Sequence, residues 1–119
     1  MARKVVRAAA TELGFGITDV TRIVTAVSEL ARNIFVYAKS GVMRWRALDP
    51  DPYPGIEIVF TDQGPGIADL DLAMQKGYSS GTGLGMGLPG VRNLMDDMVV
   101  ETEVGRGTTV RIKKWLRRT

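Results

Sequence analysis

The strongest periodic pattern in the chain is helical and runs from about Asp19 to Ala38. Apolar residues recur there at spacings of three and four, which predicts a helix with one buried face. A second segment of helical composition covers residues 2–13, and Gly14 is placed to end it. The chain therefore starts with two predicted helices. The apolar positions of the longer one are Val20, Ile23, Val24, Val27, Leu30, Ala31, Ile34, Phe35 and Ala38.

Two pairs of strand-like segments follow. Residues 42–47 and 56–61 are joined by a short Pro-rich connection, which favours an antiparallel hairpin. Residues 99–104 and 108–115 flank Gly105-Arg-Gly107 and predict a second hairpin.

Between the two hairpins the pattern becomes helical and glycine-rich. Residues 68–76 predict a short helix and 77–87 a Ser/Gly-rich loop. Residues 89–97 predict another helix. Pro89 lies in its first turn, where a backbone N–H has no partner within the helix, so the N–H that proline lacks is not needed. This order of elements predicts an α/β two-layer sandwich, with a mixed, mostly antiparallel sheet and helices on one face. The length of 119 residues predicts one domain, 1–119.

Composition then narrows the chemistry. The chain has no cysteine and no histidine, which excludes disulfides, thiol nucleophiles, imidazole metal sites and Ser-His-Asp catalysis. A general base at neutral pH must be a carboxylate, a lysine or a tyrosine. No apolar run is long enough to span a membrane, and the basic N-terminal residues are not followed by the apolar core of a signal peptide. We expect a cytoplasmic protein, and nothing indicates a membrane or nucleic-acid role.

The net charge is +3, and part of it lies near the C-terminus. These basic residues predict a solvated strand edge and a frayed tail. The alternative is a patch for an anionic partner. They are Arg111, Lys113, Lys114, Arg117 and Arg118.

Glu29 and Asn33 are the first candidates for chemistry. They are four residues apart, so their side chains are neighbours on a helix. At about 100° per residue they lie about 180–220° from Val20, on the polar face. One interpretation is a solvated pair. In the other, the Asn33 amide oxygen binds Mg²⁺ and the Glu29 carboxylate accepts a proton from an attacking hydroxyl or water.

The segment Asp62-Gln-Gly-Pro-Gly66 follows a predicted strand directly. It could be an ordinary polar turn. It could also select adenine, because an ionised Asp62 only accepts hydrogen bonds and adenine offers its N6 amine as a donor. Gly64 and Gly66 would then let a flat base approach the backbone.

Glycines alternate in the segment 81–88, a pattern that no regular helix or strand prefers. It is either a flexible loop or a phosphate cradle in front of a helix N-terminus. A dinucleotide fingerprint is rejected because no strand precedes the glycines, and no Gly-Lys pair exists for a P-loop. A protein kinase of the His-Arg-Asp type is impossible without histidine.

Together these elements resemble the GHKL ATPases, the superfamily of gyrase, Hsp90, histidine kinases and bacterial anti-sigma-factor kinases. The resemblance covers about residues 11–115. It rests on four motifs in the family's order: Glu29-x-x-x-Asn33 as the N box, Asp62-x-Gly64-x-Gly66 and Gly83-x-Gly85-x-Gly87 as the two glycine boxes, and Gly107-Thr108-Thr109 as the last nucleotide-contacting element.

The amino-acid sequences of these motifs are most similar to those of the small serine/threonine kinases of bacterial partner switching, in particular the stressosome switch kinase. The resemblance implies phosphoryl transfer from MgATP to a small STAS-domain scaffold or antagonist protein, followed by release and activation of a downstream phosphatase. The segments that carry it are Ser28-Glu-Leu-Ala-Arg-Asn-Ile34, Asp62-Gln-Gly-Pro-Gly-Ile67 and Gly83-Leu-Gly-Met-Gly-Leu-Pro-Gly-Val91.

Carried over to this chain, the resemblance assigns each motif residue a role. Glu29 would be the general base and Asn33 the Mg²⁺ ligand. Asp62 would bind the adenine amine, and Thr108 would contact adenine directly or through water. Arg32 would reach phosphate or partner, or remain a surface arginine. Two glycines would shape the base pocket, namely Gly64 and Gly66. Three others would surround the phosphates, namely Gly83, Gly85 and Gly87.

Two features depart from the family pattern. The family's first strand, which precedes the first helix, has no counterpart here, and its absence would expose a sheet edge. The lid at 77–87 contains no Arg or Lys. The missing basic lid residue leaves one alternative to the kinase open, a non-catalytic nucleotide-sensing module that sequesters or activates a partner. A third possibility is the catalytic fragment of a histidine kinase, but the short chain, the compact lid and the acidic N-box residue argue against it.

Overall fold

A computed structural model of the chain describes residues 2–48, 54–67 and 87–116. It contains three helices and four strands in these segments. They are α1 (Ala2–Leu13), α2 (Ile17–Tyr37), β1 (Gly41–Leu48), β2 (Gly55–Asp62), α3 (Gly87–Leu94), β3 (Asp97–Glu103) and β4 (Gly107–Trp115).

The three helices lie where the sequence predicts them. Gly14 ends α1 with a φ of +102°, a conformation that glycine adopts without steric cost. α2 begins two residues earlier than predicted, after Gly16, which makes no side-chain cap. α3 ends at Leu94 instead of 97, because β3 already starts at Asp97. The helix predicted at 68–76 lies outside the described residues. Among the helices described, none has the length and apolarity to cross a membrane.

The strands form one sheet in the order β1-β2-β4-β3. Both predicted hairpins are present, and β2 pairs with β4 in the centre. Every pairing among these four strands is antiparallel. The prediction of an α/β sandwich is confirmed, whereas the predicted mixed character of the sheet does not appear in the described strands.

The core lies between the helices and one face of the sheet. Ile56, Ile58 and Ile112 alternate along the two central strands and are completely buried, as are Ile23 and Val27 of α2. α2 also packs against both α1 and α3. The predicted apolar stripe of α2 is buried from Val20 to Leu30, whereas Phe35, which the sequence predicts on the same stripe, is 69% exposed near the end of the helix. The polar positions of this helix remain for other contacts.

The basic C-terminal residues do not form the solvated edge that the sequence predicts, because β4 is a central strand. Lys114 points to the helix side and is buried, with 8% of its surface exposed. Its Nζ donates to the Leu94 carbonyl at 3.3 Å and lies 3.6 Å from Asp96 and 3.9 Å from Asp19. This lysine therefore joins β4 to the end of α3 and the start of α2. Residues 117–119, with two further arginines, lie outside the described residues.

Glu57 forms the centre of a charged cluster on the opposite face of the sheet. Its carboxylate accepts a hydrogen bond from Arg46 Nε at 2.7 Å, and Arg111 and Lys113 lie 3.7 Å away. The hydrogen bond from Arg46 lowers the pKa of Glu57 against the opposing effect of burial, and the three positive charges lower it further. Three strands are thus connected through one buried carboxylate.

Glu57→Gln is expected to destabilise the protein by about 2 kcal/mol at neutral pH, because three cations lose their carboxylate. A carboxyl group whose pKa is lowered by folding contributes its full stability above its unfolded value near 4.5. That contribution is lost as the pH falls through the folded value, so the difference between variant and wild type should shrink in acid. Urea unfolding from pH 7 to pH 3 measures it. Glu12→Gln, which alters an exposed carboxylate on α1, is the control and should change little at any pH.

Candidate functional site

Three polar side chains form a row across the sheet where β2 ends. Asp62 is paired with Thr108 on β4, and Thr108 is paired with Thr102 on β3. Directly opposed residues share a face, and alternation from the buried Ile58 and Phe60 places this row on the helix side. The row is only partly buried, so its polar groups can be reached by a ligand lying between sheet and helices.

Hydrogen bonds connect the two threonines to the loop after β2. The Thr102 hydroxyl accepts from the Ile67 N–H at 2.8 Å and lies 2.9 Å from the Thr108 hydroxyl. It also donates to the Gly107 carbonyl at 3.2 Å. When it does so, the Thr108 hydroxyl must donate to Thr102, which leaves the Thr108 oxygen as an acceptor. Thr102 is therefore the connection between the loop and the strand bearing Thr108.

The Asp62 carboxylate also shapes its own loop. Its Oδ1 accepts from the Gly64 N–H at 2.9 Å, a local bond that fixes the turn and the orientation of the side chain. The other oxygen makes no hydrogen bond to any described residue. An ionised carboxylate only accepts, so this second oxygen remains available to an amine donor such as adenine N6.

The glycines of this loop have a packing role in addition to the ligand access that the sequence predicts. A Cβ on Gly64 would lie 2.6 Å from the Ala38 Cβ, at the end of α2. Gly66 has a φ of +77°, and a Cβ there would lie 2.4 Å from the Glu103 carbonyl. The loop is therefore held closely between α2 and the β3–β4 turn, and larger residues would force it away from both.

Glu29, Arg32 and Asn33 lie together on α2, about one and a half to two and a half turns before Ala38, the residue at the helix end that contacts Gly64. The side chain of Glu29 is 12% exposed and its Oε2 lies 3.6 Å from Arg32 Nη1. Asn33 is half-buried, and its amide makes no hydrogen bond to another described residue. The predicted solvated pair therefore does not describe Glu29, which is a largely buried carboxylate beside an arginine.

The distance along α2 suits a nucleotide. Asn33 precedes Ala38 by five residues, which is about 8 Å along the helix axis. The loop that follows Asp62 contacts Ala38 through Gly64. If the base of a nucleotide bound at Asp62, its phosphates would lie along α2 in the direction of Asn33. The described start of α3 is Gly87, with a φ of +60°. Gly83 and Gly85 lie outside the described residues.

The side chains present fit a Mg²⁺ ion that a nucleotide carries. Mg²⁺ usually retains several waters and is bound by one or two side-chain oxygens together with phosphates. Asn33 offers an amide oxygen of the required type to which no other described residue donates a hydrogen bond. No group of three or more His, Cys, Asp or Glu side chains that could hold a metal occurs within the described segments.

Thr102 is the site residue that the sequence alone did not identify. Its signal lay in the hairpin register, because a turn at Gly105–Gly107 sets Thr102 opposite Thr108.

Thr102→Val is expected to weaken ATP binding about five- to tenfold, since the Ile67 N–H and Thr108 lose their shared partner. Calorimetric titration measures the affinity. Thr109→Val, on the other face of β4, is the matched control and should bind ATP as the wild type does.

The fold and this site define a class: an ATP-binding α/β domain with an acidic N-box helix over a four-stranded sheet. The sequence model of the histidine kinase-like ATPase domain family matches residues 1–114. The chain belongs to this family.

Similar proteins narrow the class further. The chain is 47% identical to serine/threonine-protein kinase RsbT of Bacillus subtilis (strain 168) over 116 residues, covering 98% of this chain and 87% of that protein. It is 37% identical to the anti-sigma F factor of Caldanaerobacter subterraneus subsp. tengcongensis, covering 98% and 85%. Among solved structures, the mycobacterial sensor histidine kinase MprB superposes with a TM-score of 0.61 at 25% identity, covering 84% of this chain and 74% of that one.

These likenesses confirm the predicted membership of the GHKL superfamily and the predicted fold. They also confirm the expected enzyme class, an ATP-dependent serine/threonine protein kinase, because the relative at 47% identity over nearly the full chain bears that name. The partner, the metal and the roles of individual side chains are matters for the proposal that follows.

Proposed function

We propose that this protein transfers the γ-phosphate of ATP to a serine or threonine of a small STAS-domain protein in a cytoplasmic partner-switching pathway of the stressosome type. The observation that carries this proposal is the pair on α2: a Glu29 carboxylate that is largely buried, with the Asn33 amide one turn further on. General base catalysis needs a fixed carboxylate close to the phosphate site.

In the proposed reaction, Glu29 accepts the proton of the partner's hydroxyl group. The hydroxyl oxygen forms a bond to the γ-phosphorus, and the bond from that phosphorus to the β–γ bridging oxygen breaks, which releases ADP. Arg32, 3.6 Å from the Glu29 carboxylate, restricts its position in the resting site. The Glu29 side chain is 12% exposed, so little water surrounds its carboxylate.

Each remaining site residue has a binding role in this proposal. Asp62 binds the adenine N6 amine with the oxygen that accepts no hydrogen bond from the described residues, and Thr108 contacts the base directly or through water. Gly64 and Gly66 hold the base-binding loop, while Gly83, Gly85 and Gly87 surround the phosphates. Asn33 would hold the nucleotide's Mg²⁺, which supplies charge neutralisation for the developing negative charge.

The partner side of the proposal rests on the names of the relatives. A kinase at 47% identity and anti-sigma factors at 37% and below act through other proteins, and their likeness to this chain supports a protein substrate. We propose that release of the phosphorylated STAS-domain scaffold frees the kinase to activate a downstream phosphatase.

A second candidate function is a nucleotide-sensing module without transfer, which is favoured by the absence of Arg and Lys from 77–87. The experiment that separates the candidates uses the STAS-domain protein of the same organism, MgATP and this chain. An acid-stable phosphoserine or phosphothreonine supports the kinase. Acid-labile phosphohistidine contradicts it, and binding that changes between MgATP and MgADP without any phosphorylation supports the sensing module.

A further inference from the structure

Lys114 is a buried lysine to which the proposed reaction assigns no role. Lysine side chains are almost never fully buried unless they are paired, and three oxygen atoms surround this one. Its Nζ donates a hydrogen bond to the Leu94 carbonyl at 3.3 Å, and the carboxylates of Asp96 and Asp19 lie 3.6 and 3.9 Å away. These contacts offset the cost of taking the ammonium group out of water.

The partners of Lys114 belong to two different helices. Leu94 is the last residue of α3, so its carbonyl belongs to the helix end that carries partial negative charge. Asp19 lies in the first turn of α2. Lys114 itself lies on the central strand β4. Its ammonium group therefore connects the end of α3, the start of α2 and the sheet at one point.

Asp96 strengthens this connection through its backbone and both of its carboxylate oxygens. Its N–H donates to the Lys113 carbonyl at 2.9 Å, and its Oδ2 accepts from the Trp115 N–H at 2.7 Å. Its Oδ1 faces Lys114. The segment that directly follows α3 is thus bound to three consecutive residues of β4, and these contacts determine where α3 ends.

The position of this end determines where α3 begins. α3 packs against α2, and its last residue lies beside the start of α2, so the two helices run antiparallel. The eight residues of α3 span about 12 Å. Asp19 precedes Glu29 by ten residues, which is about 15 Å along α2. The start of α3 at Gly87 therefore lies within about one helical turn of Glu29, measured along α2.

We propose that Lys114 is a positioning residue for the phosphate site, because it holds α3 at the place along α2 where the start of α3 faces the phosphates of ATP. This inference rests on the proposed function, in which the glycines up to Gly87 surround the phosphates. N–H groups at a helix start bind phosphate oxygens only within hydrogen-bond distance. Lys114 does not touch the nucleotide and acts through the position of α3.

Lys114→Met tests the proposal, because methionine keeps most of the apolar part of the side chain and removes the charge. Without the ammonium group, α3 should occupy its binding position for only part of the time. We expect the affinity for ATP to fall about tenfold, while the affinity for adenosine, which binds only at the Asp62 end, stays within about twofold. Calorimetry measures the binding of ATP, and NMR titration measures the weaker binding of adenosine.

Lys113→Met is the matched control, since it removes the neighbouring lysine on the opposite face of β4, where Nζ lies 3.7 Å from Glu57. Both affinities should stay at wild-type values. Asp96→Asn is a second test that applies even if Lys114→Met does not fold. Its amide oxygen can still accept the Trp115 N–H, whereas the charge that faces Lys114 is lost, so the ratio of ATP to adenosine affinity should fall here too.

The outcomes separate this inference from the proposed function. Unchanged affinities for ATP and adenosine in Asp96→Asn and in folded Lys114→Met would overturn the inference and leave the proposed function in place. An equal loss of both affinities would assign Lys114 a role in stability alone and overturn the inference as well. A wild-type protein that binds ATP no more tightly than adenosine would have no phosphate site, which would contradict the proposed function together with the inference.

Discussion

Glu29→Gln is expected to slow phosphoryl transfer to the protein substrate by about 10²- to 10⁴-fold, the range of general base catalysis. The substituted side chain has the same shape and remains able to fill the partly buried position on α2. It cannot accept the proton of the attacking hydroxyl, and it loses the ion pair with Arg32 at 3.6 Å. The affinity for ATP should change by no more than about twofold, because Glu29 is proposed to contact the reacting hydroxyl and not the nucleotide.

Single-turnover transfer and calorimetric ATP binding, measured on the same preparations, separate these two effects. Glu12→Gln is the matched control, since Glu12 is an exposed carboxylate on α1, and both quantities should stay at wild-type values. Transfer that remains within about tenfold of the wild type would assign the base to another group. A parallel loss of ATP binding would make Glu29 a structural or binding residue instead.

Asp62→Asn is expected to weaken ATP binding by about 10²-fold. The substituted amide oxygen can still accept the Gly64 N–H that Asp62 accepts at 2.9 Å, so the loop retains its turn. The second oxygen, however, is replaced by an amide nitrogen, and this N–H donor then faces the N6 donor of adenine. A buried donor facing a donor costs about 1–3 kcal/mol, consistent with a loss of this size.

The same substitution should also change base selectivity, which makes the prediction specific to this contact. Guanine presents an acceptor where adenine presents its amine, so the ratio of ATP to GTP affinity should fall. Titrations with both nucleotides measure the ratio. Asp97→Asn, at the opposite end of the sheet, should leave both affinities unchanged. An unaltered ATP to GTP ratio in Asp62→Asn would show that this carboxylate does not bind the base.

The sequence predicts most of the fold because its periodic patterns are long and its turns are clear. The stripe of α2 and the two hairpins needed only local information, and their observed bounds differ from the predicted ones by about two residues. The central position of β4 was not predictable in this way. Strand order depends on pairing between distant segments, and so the burial of Lys114 and the cations around Glu57 appear only in the folded chain.

The residues of the candidate site also differ in whether local sequence or the folded chain reveals them. Glu29, Asn33 and Asp62 stand in short motifs whose spacing is visible in the sequence. Thr102 stands in no motif, and its place in the site comes from the register of β3 against β4 and from its bond to Ile67. The tight packing of Gly64 against Ala38 is likewise a contact between elements that are distant in the chain.

The mass of a partner protein tests the central claim most directly. The STAS-domain protein of the same organism is incubated with this chain and MgATP, and its intact mass is measured against a parallel reaction with Glu29→Gln. The account predicts a gain of one phosphoryl group on the partner, acid-stable and strongly reduced in the variant reaction. A stable complex between the two proteins with no gain in mass would contradict it.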